Sequence, residues 1–266
     1  MVLQYPAIHH RSSEFRSVRA APGPEGGALA RLTVEDVDRG VWTFYSDDLV
    51  ASDSKTGPAV AILLGGAVPP EDRLRTETAR ARVLVCADGG LRAAWAVGLS
   101  PDLVVGDLDS LPSWARERLP ESAIAHDPRP DDNDLEKAVR EVFRRWGPVV
   151  EIAILGGGAD AGRTDHGLAN LGVLVAEPHR RIQWVDGAGR MVALRKGRLQ
   201  VDDAVGATLS VLPWSLHGAV VSEVGVHYPL DEEKLHLGGR GVSNEVGDEN
   251  ATVEVHEGVA LVWVGV

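Results

Sequence analysis

The sequence is poor in cysteine and in positive charge, and each shortage excludes a class of protein. Its single cysteine, Cys86, cannot form a disulfide within the chain, which fits a reducing compartment. The formal net charge of −12 argues against a general binder of nucleic acid or of a membrane surface, because both require a basic face. A functional carboxylate cluster could supply part of this acidic excess, and a solvated surface the rest.

Long apolar runs are also missing. No run approaches the roughly 18 residues of a membrane-spanning helix. The first residues mix His9, His10, Arg11 and Glu14 and have no apolar core, so they do not resemble a secretory signal. We therefore expect a cytoplasmic protein that has no membrane partner and no nucleic-acid partner.

Several short signatures of known chemistry are absent as well. The chain has no GxxxxGK[ST] phosphate loop, and its glycine-rich stretch Gly156–Gly162 does not match GxGxxG. The histidines do not have the spacing of zinc ligands, and no GxSxG nucleophile motif occurs. Any phosphate chemistry must therefore use another arrangement.

The first part of the chain predicts an N-terminal extension, residues 1–57, that is partly disordered. Residues 1–28 are rich in Ala, Gly, Pro, Ser and Arg and show no periodicity. Arg31–Val34 and Val41–Tyr45 form a possible pair of strands. The polar residues 46–57 then indicate a domain boundary.

Residues 58–186 predict a Rossmann-like α/β domain. Continuous apolar runs are typical of strands buried on both faces, and here they alternate with helical patterns, which indicates a mostly parallel sheet flanked by helices. The predicted strands are Ala59–Leu64, Arg82–Cys86, Leu103–Val105, Ser122–Ala125, Val149–Leu155 and Arg181–Val185. The predicted helices are Leu91–Val97, Ser113–Leu119, Asp134–Trp146 and Thr164–Ala176.

Residues 187–266 predict a C-terminal antiparallel β-sandwich. The segments there are short, β-branched and separated by Gly, Pro or Asp, and none has a helical period. The predicted strands are Arg190–Leu194, Leu199–Asp202, Ala207–Leu212, Ala219–Val226, Ala251–His256 and Val259–Val264.

Polar and glycine clusters follow the predicted parallel strands, at the edge where such sheets bind ligands. Four of these residues are aspartates, and crowded carboxylates need a compensating cation. Mg²⁺ prefers oxygen ligands and often bridges carboxylates to phosphates. We therefore predict metal ligands at Asp88, Asp107, Asp109 and Asp134. The alternative is that these aspartates only form turns and helix caps.

The glycines at the same edge predict contacts with phosphate, because glycine allows the backbone to approach an anion closely. These residues are Gly65, Gly66, Gly89, Gly90, Gly157 and Gly158. The four lysines lie outside these loops, so Arg163 is the expected positive partner, with Arg129 as a weaker candidate. Arg163 could instead be a surface residue or pair with Asp165. His166 could act as a base or have a structural role.

Four segments together resemble the thiamine pyrophosphokinase family. They are Cys86–Gly90, Pro101–Ser110, Asp131–Ala138 and Gly162–Asn170, and the resemblance runs from about Ala59 to the C-terminus. It implies an α/β domain followed by a β-sandwich, Mg²⁺ as cofactor and ATP as co-substrate. It also implies transfer of diphosphate from ATP to the hydroxyl of thiamine, and a homodimer that binds thiamine between the α/β domain of one subunit and the β domain of the other.

The resemblance also implies roles for individual residues. Asp107, Asp134, Arg163 and Asp165 would be catalytic, while His166 and Asn170 would join Asp88, Asp109 and the glycines in binding the nucleotide. Asp132, Tyr228, Ser243 and Asn244 would contact thiamine; the alternative for the last three is a core tyrosine and an ordinary turn. The chain has Asn133 where the family commonly has threonine, Ala161 where it has glycine, and a slightly long loop at Gly158–Asp160.

Two other functions remain open from the sequence. One is a pyrophosphokinase for a different alcohol, such as a hydroxymethylpterin. The other is a non-catalytic regulatory protein that keeps the same fold and binds a nucleotide.

Overall fold

The computed structural model describes residues 31–36, 40–44, 59–109, 111, 113–148, 150–158, 163–176 and 181–265. The predicted extension at 1–28, the polar stretch at 46–57 and the Ala161 position lie outside the described residues. Among the described residues, no helix combines the length and apolar character needed to cross a bilayer.

The elements alternate between strands and helices in the middle of the chain, as predicted. A first pair of strands, β1 (Arg31–Asp36) and β2 (Gly40–Phe44), precedes this region. The α/β region then contains β3 (Val60–Leu63), α1 (Glu71–Arg80), β4 (Val83–Ala87), α2 (Gly90–Ala96), β5 (Leu103–Gly106), α3 (Ser113–Arg118), β6 (Ile124–His126), α4 (Asp134–Trp146), β7 (Ile152–Leu155), α5 (Thr164–Ala176) and β8 (Ile182–Val185).

The remaining strands are antiparallel. They are β9 (Gly189–Leu194), β10 (Gly197–Asp202), β11 (Thr208–Pro213), β12 (Ala219–Val224), β13 (Leu230–Leu235), β14 (Asn244–Glu245), β15 (Asn250–Glu257) and β16 (Ala260–Gly265). They pack as two sheets around a core that includes Leu199 and Val253 from one sheet and Val211 and Val262 from the other. The predicted fold class, an α/β domain followed by an antiparallel β domain, is therefore confirmed.

Strands β3 to β8 are parallel and lie in the order β8-β7-β3-β4-β5-β6. The chain moves outward from β3 to β6 and then returns to place β7 on the other side of β3. The connections after β3 and β7 therefore leave the sheet in opposite directions, which opens a crevice at their carboxyl ends. This topology sets the position of the candidate site.

Both faces of the parallel sheet are covered. Successive residues of β3 point to opposite faces, so Val60 and Ile62 join one apolar cluster while Ala61 and Leu63 join another. Cys86 is fully buried on β4, and burial raises the pKa of its thiol. The continuous apolar runs of the sequence therefore reflect burial on both faces.

Helix α4 begins at a capping box. The side-chain oxygen of Asn133 accepts a hydrogen bond from the backbone N–H of Glu136 at 2.9 Å, and the Glu136 carboxylate accepts one from the Asn133 N–H at 2.9 Å. Threonine and asparagine are both favoured as N-caps, so Asn133 can take the place of the threonine common in the family. This arrangement places Asp134 in the first turn of α4.

Helix α1 and strands β13 and β14 are not among the predicted elements. The α1 segment has only one apolar residue on its buried side, Leu74, and its other buried side chain is Glu77, which forms an ion pair with buried Arg190. β13 is an edge strand with charged residues between Leu230 and Leu235. Neither segment therefore has the apolar periodicity on which sequence prediction depends.

The hairpin of β1 and β2 belongs to the C-terminal sheet. Strand β1 pairs with β10 along its whole length, and Leu32 and Val34 pack into the sandwich core. The domain limits at 57 and 186 stay predictions, but this pairing joins β1 and β2 to the C-terminal sheet. Strands β9, β16, β11 and β14 also continue the parallel sheet beyond β8, so one ten-stranded sheet runs through both regions.

Candidate active site

A cleft of about 190 Å³ lies at the carboxyl ends of the parallel strands, around the point where the strand order reverses. Ten residues predicted from the sequence line it: Gly65, Gly66, Asp88, Gly89, Asp134, Gly157, Gly158, Arg163, His166 and Asn170. The loops after β3, β4 and β7 and the N-terminal parts of α4 and α5 contribute these residues. The predicted edge of the sheet is therefore the edge that carries the cleft.

The glycines let the loops around the cleft approach one another. A Cβ on Gly65 would lie 3.2 Å from the backbone carbonyl carbon of Gly89, so a side chain there would push the two loops apart. Gly90 is buried in the first turn of α2, and a Cβ on it would lie 2.0 Å from the Leu63 carbonyl oxygen. The lack of a side chain at Gly90 therefore serves packing of α2 on the sheet, and Gly90 does not line the cleft.

The loop after β7 is held in place by hydrogen bonds to Ala67 and Asn170. Gly157 has a φ of +72°, its N–H donates to the Ala67 carbonyl at 3.1 Å, and its carbonyl accepts a hydrogen bond from the buried Asn170 side chain at 3.0 Å. Left-handed backbone of this kind favours glycine. Asn170, predicted to bind the nucleotide, therefore supports the loop that faces the cleft.

Two non-glycine residues at strand ends also have positive φ angles. Asp88 has a φ of +38° and Leu108 a φ of +63°. Such conformations cost free energy and cluster at functional sites. A Cβ on Gly106 would lie 3.1 Å from the Asp88 Cβ, so the ends of β4 and β5 are also closely packed.

The acidic residues at this edge surround a lysine that the sequence interpretation missed. The Nζ of Lys137 lies 3.2 Å from Oδ2 of Asp107 and 3.8 Å from Oδ1 of Asp134, and the Lys137 residue is only 3% exposed. Because both carboxylate oxygens contact one nitrogen, they are at most 7.0 Å apart. Lys137 lies outside the strand-end loops, as expected, but the sequence interpretation gave it no role at this edge. Its position one turn after Asp134 on the same helix was the available signal.

The pKa shifts reflect this crowding. The pKa of Asp107 is lowered, first by the backbone N–H of Asp109, which donates to it at 3.2 Å, and next by Lys137. The pKa of Asp134 is raised, first by burial and next by the nearby charge of Asp88. Asp88 and Asp134 line the same cleft, and Lys137 contacts both Asp107 and Asp134, so three of the four predicted aspartates form one acidic group.

Asp88 and Asp134 line the cleft, whereas Asp107 and Asp109 do not. The side chain of Asp109 is exposed, and its backbone N–H orients Asp107. Within the described part of the chain, no three His, Cys, Asp or Glu side chains come close enough together to hold a metal ion by themselves. A protein-only metal cage of four aspartates is therefore not seen there.

Asp132 lies in a separate ion-pair network. Arg140 on α4 donates to Asp132 at 2.7 Å and to Asp127 at 3.1 Å. Arg129 donates to both oxygens of Asp127, at 2.8 and 2.6 Å, which lowers the pKa of that carboxyl. Both Arg129 and Asp132 were candidate ligand-binding residues, and the structure uses them to hold the loop before α4.

Arg163 and Asp165 form the ion pair considered as an alternative for Arg163. Arg163 donates to Asp165 through Nε at 3.0 Å and through Nη2 at 2.9 Å, and both side chains are more than half exposed. This contact lowers the pKa of Asp165 to about 2. The Nη1 of Arg163 takes no part in this pair, and the residue still lines the cleft beside His166.

The residues predicted to contact thiamine in the β domain lie together. Tyr228 is 75% exposed, and its backbone N–H donates to the side-chain oxygen of Asn244 at 3.1 Å. Ser243 is exposed, has a φ of +60°, and its N–H donates to Ser210 Oγ at 3.0 Å. Asn244 is buried and does not present its side chain to solvent. The sequence interpretation missed the buried Glu223, which accepts a hydrogen bond from Asn244 at 2.7 Å.

Comparisons with known proteins agree with this division of the chain. A family model described as "Thiamin pyrophosphokinase, catalytic domain" matches residues 74–185, which include the cleft. A second, "Thiamin pyrophosphokinase, vitamin B1 binding domain", matches residues 197–260, which include Tyr228 and Asn244. The two models match complementary regions that together exceed half of the chain.

Individual relatives have low sequence identity to this chain but align with most of it. The chain is 26% identical to thiamine pyrophosphokinase 3 of Oryza sativa subsp. japonica over 212 residues, which are 69% of this chain and 78% of that protein. It is 26% identical to thiamine pyrophosphokinase 1 of Arabidopsis thaliana over 234 residues, which are 77% and 86% of the two proteins.

Solved structures share the fold. A structure of thiamin pyrophosphokinase from Candida albicans matches with a TM-score of 0.68 at 16% identity, covering 89% of this chain and 98% of that chain. One of thiamine pyrophosphokinase from Bacillus subtilis matches with a TM-score of 0.65 at 22% identity, covering 78% and 98%. With both domains matched in order and the cleft within the catalytic match, this chain belongs to the thiamin pyrophosphokinase family.

Proposed function

We propose that this protein transfers the terminal diphosphate of ATP to the hydroxyl of thiamine, giving thiamine diphosphate and AMP. The observation that carries the proposal is the acidic, glycine-lined cleft at the switch point of the catalytic domain, with Asp107 and Asp134 joined by buried Lys137. A separate vitamin B1 binding domain follows in the same chain.

The reaction forms one bond and breaks one. The thiamine hydroxyl oxygen attacks the β-phosphorus of ATP, and the bond between that phosphorus and the oxygen bridging to the α-phosphorus breaks, so that AMP leaves. Asp134 or Asp107 accepts the hydroxyl proton. The loops carrying Gly65, Gly89 and Gly157 bring backbone close to the phosphates, and Nη1 of Arg163 supplies positive charge there.

The acidic group fits Mg²⁺. Asp107 and Asp134 present oxygens at most 7.0 Å apart, and the pKa of Asp134 is raised first by burial and next by the charge of Asp88, so these carboxylates would gain from a shared cation. Mg²⁺ usually takes one or two carboxylates and completes its coordination with water and phosphate oxygens, so a protein-only cage is not required. One or two of Asp88, Asp107 and Asp134 would ligate the ion, with Asp109 orienting Asp107. When bound, Mg²⁺ would neutralise the charge that develops on the phosphates.

The second subunit would supply the thiamine face. Tyr228 and Ser243 lie beside β14, and five strand spacings separate β14 from β7 in the ten-stranded sheet. At about 4.8 Å per strand this is about 24 Å along the sheet, which exceeds the span of one thiamine molecule. We therefore propose a homodimer, placed in the cytoplasm, in which the cleft of one subunit faces Tyr228 of its partner.

Incubation with ATP, Mg²⁺ and thiamine, followed by chromatography, tests the reaction. We expect thiamine diphosphate and AMP in equal amounts, and no ADP. Asp107→Asn should abolish both products while keeping the fold, whereas Asp231→Asn, an exposed aspartate on β13, should change nothing. Product from a hydroxymethylpterin in place of thiamine, or no AMP at all, would contradict the proposal.

Mixing two inactive variants tests the shared site. Asp107→Asn removes the catalytic face and Tyr228→Ala the thiamine face, so each homodimer should be nearly inactive. In a mixed dimer one of the two sites keeps both native faces, so an equal mixture after subunit exchange should recover about a quarter of wild-type activity. No recovery, with subunit exchange shown by native mass spectrometry, would mean that one chain supplies both faces.

A further inference from the structure

The side chain of Asn244 uses all of its hydrogen-bonding capacity within the protein. Its Oδ1 accepts from the backbone N–H groups of Tyr228 at 3.1 Å and Glu245 at 2.9 Å. Its Nδ2 donates to the Tyr228 carbonyl at 3.0 Å and to the Glu223 carboxylate at 2.7 Å. An amide has two donors and two acceptor sites, so a ligand could use this side chain only by displacing one of these contacts.

Glu223 determines which way this amide faces. An ionised carboxylate only accepts hydrogen bonds, so the Nδ2 side of Asn244 must point toward Glu223. The Oδ1 side then faces the two backbone N–H groups of the Tyr228 and Glu245 segments. These segments are also paired directly, because the N–H of His227 donates to the Glu245 carbonyl at 2.9 Å. Glu223 therefore orients the Asn244 amide that holds the Tyr228 backbone, while the Tyr228 side chain is exposed to solvent.

The position of Glu223 in its strand is unusual for a carboxylate. Residues of β12 alternate between the core and the other face, and Glu223 shares the buried side with Ala219 and Val221. It is 1% exposed, and among the described residues its Oε1 has no hydrogen-bond partner. A buried acidic side chain at a core position is costly, and violations of this kind concentrate at functional sites.

We infer that Glu223 is a positioning residue for thiamine recognition, which acts through Asn244 to hold the Tyr228 segment in its binding conformation. This inference rests on the proposed function, because it takes Tyr228 as part of the thiamine face. Asn244 then supports that face from within, and the contacts to substrate come from the exposed Tyr228 and Ser243. A purely structural role would affect both substrates and the whole fold alike, whereas a positioning role affects thiamine alone.

Two variants distinguish the hydrogen-bond acceptor that Glu223 provides from its negative charge. Glu223→Leu removes the acceptor for Asn244, which leaves a buried N–H₂ group without one of its partners. Glu223→Gln keeps an oxygen that can accept from Asn244. Glu257, exposed at the end of the paired strand β15, provides the matched controls Glu257→Leu and Glu257→Gln. All four are measured in the full chain for the KM of thiamine, the KM of ATP and kcat.

We expect Glu223→Leu to raise the KM for thiamine about tenfold or more, with the KM for ATP within twofold, because one buried hydrogen bond to a charged group is lost. Glu223→Gln should restore the KM for thiamine to within about threefold of wild type. An unchanged thiamine KM in Glu223→Leu would overturn the inference, and so would equal rises for thiamine and ATP. If Glu223→Leu does not fold, Glu223→Gln decides the matter alone. A tenfold higher thiamine KM in folded Glu223→Gln would then overturn the inference, because glutamine keeps the oxygen that accepts from Asn244.

Amide hydrogen exchange provides a readout that does not depend on turnover. Glu223→Leu should speed exchange at the backbone N–H groups of Tyr228 and Glu245, which donate to Asn244, and Glu257→Leu should not. If the wild-type protein makes no thiamine diphosphate but this local loss of protection occurs, the proposed function fails and the positioning of the Tyr228 segment stands. Unchanged protection at both amides would refute the positioning itself.

Discussion

The buried cation at the acidic edge offers the sharpest test of how this site is built. Lys137 is 3% exposed, while the side chains of Asp107 and Asp134 are each 42% exposed. Lys137→Met removes the charge and keeps most of the length and volume of the side chain. Exposed Lys234→Met on β13 is the matched control.

The expected loss of stability follows from two opposing effects. A hydrogen bond between charged groups contributes about 1.5–3 kcal/mol, and the solvent exposure of Asp107 places this one at the lower end. Removing the buried ammonium also removes its desolvation cost, which offsets part of the loss. We therefore expect Lys137→Met to unfold with about 1–2 kcal/mol less free energy than wild type at neutral pH, measured by urea denaturation.

The pH dependence of this difference has a definite sign. The folded-state pKa of Asp107 is lowered below its ordinary 3.8, in part by Lys137. A lowered carboxyl pKa stabilises the fold above the unfolded-state value, and this stabilisation is lost as the pH falls through the folded-state value. The gap between wild type and Lys137→Met should therefore shrink as the pH falls below 3.8.

Lys137→Met should also lower catalytic efficiency strongly. Without Lys137 the carboxylates repel one another and lose the geometry needed at the phosphates, so we expect kcat/KM to fall about 100-fold, as when one preorganised group is removed from an active site. If Lys137→Met matches Lys234→Met in both kcat/KM and unfolding free energy, the reasoning about the acidic group is refuted.

Two further predictions concern stability. The pKa of Glu223 is raised from 4.5 to about 6, first by burial, so its ionised form opposes folding as the pH rises through this window. The unfolding free energy of Glu223→Gln should therefore gain about 2 kcal/mol relative to wild type between pH 4.5 and neutral pH. A difference that stays constant over this range would contradict the prediction. Gly90→Ala should destabilise the protein by more than 2 kcal/mol, because the new Cβ would overlap the Leu63 carbonyl oxygen. Gly172→Ala, inside α5 with open space around it, should stabilise the protein by up to about 1 kcal/mol. Equal thermal midpoints for the two variants would count against the packing argument.

Local patterns predicted much of the fold. Apolar runs buried on both faces identified the parallel strands, and the 3.6-residue apolar stripe identified α4 from Asp134 to Trp146 as observed. The rule that ligands bind at the carboxyl ends of parallel strands also placed ten predicted residues around one cleft. The individual roles of these residues stay predictions.

Elements without an apolar period were missed for a physical reason. The buried side chains of helix α1 are Leu74 and Glu77, the latter in an ion pair with Arg190, and β13 presents charges along a sheet edge. Hydrophobic periodicity carries no signal where burial is achieved by charge pairing or where little is buried. The same limitation hid Lys137, whose charge is paired with Asp134 one turn away and with Asp107, which is 30 positions away in the sequence.

By itself, the sequence determined most of the elements and the order of the motifs, because strand and helix periodicity and turn residues act over a few neighbouring positions. Only the tertiary structure decided that Lys137 joins Asp107 to Asp134, that Glu223 holds Asn244, and that β1 completes the C-terminal sheet. These pairings link residues about 20 to 170 positions apart, or depend on which of several charged side chains is buried. Their energies depend on desolvation and geometry that exist only once the chain has folded.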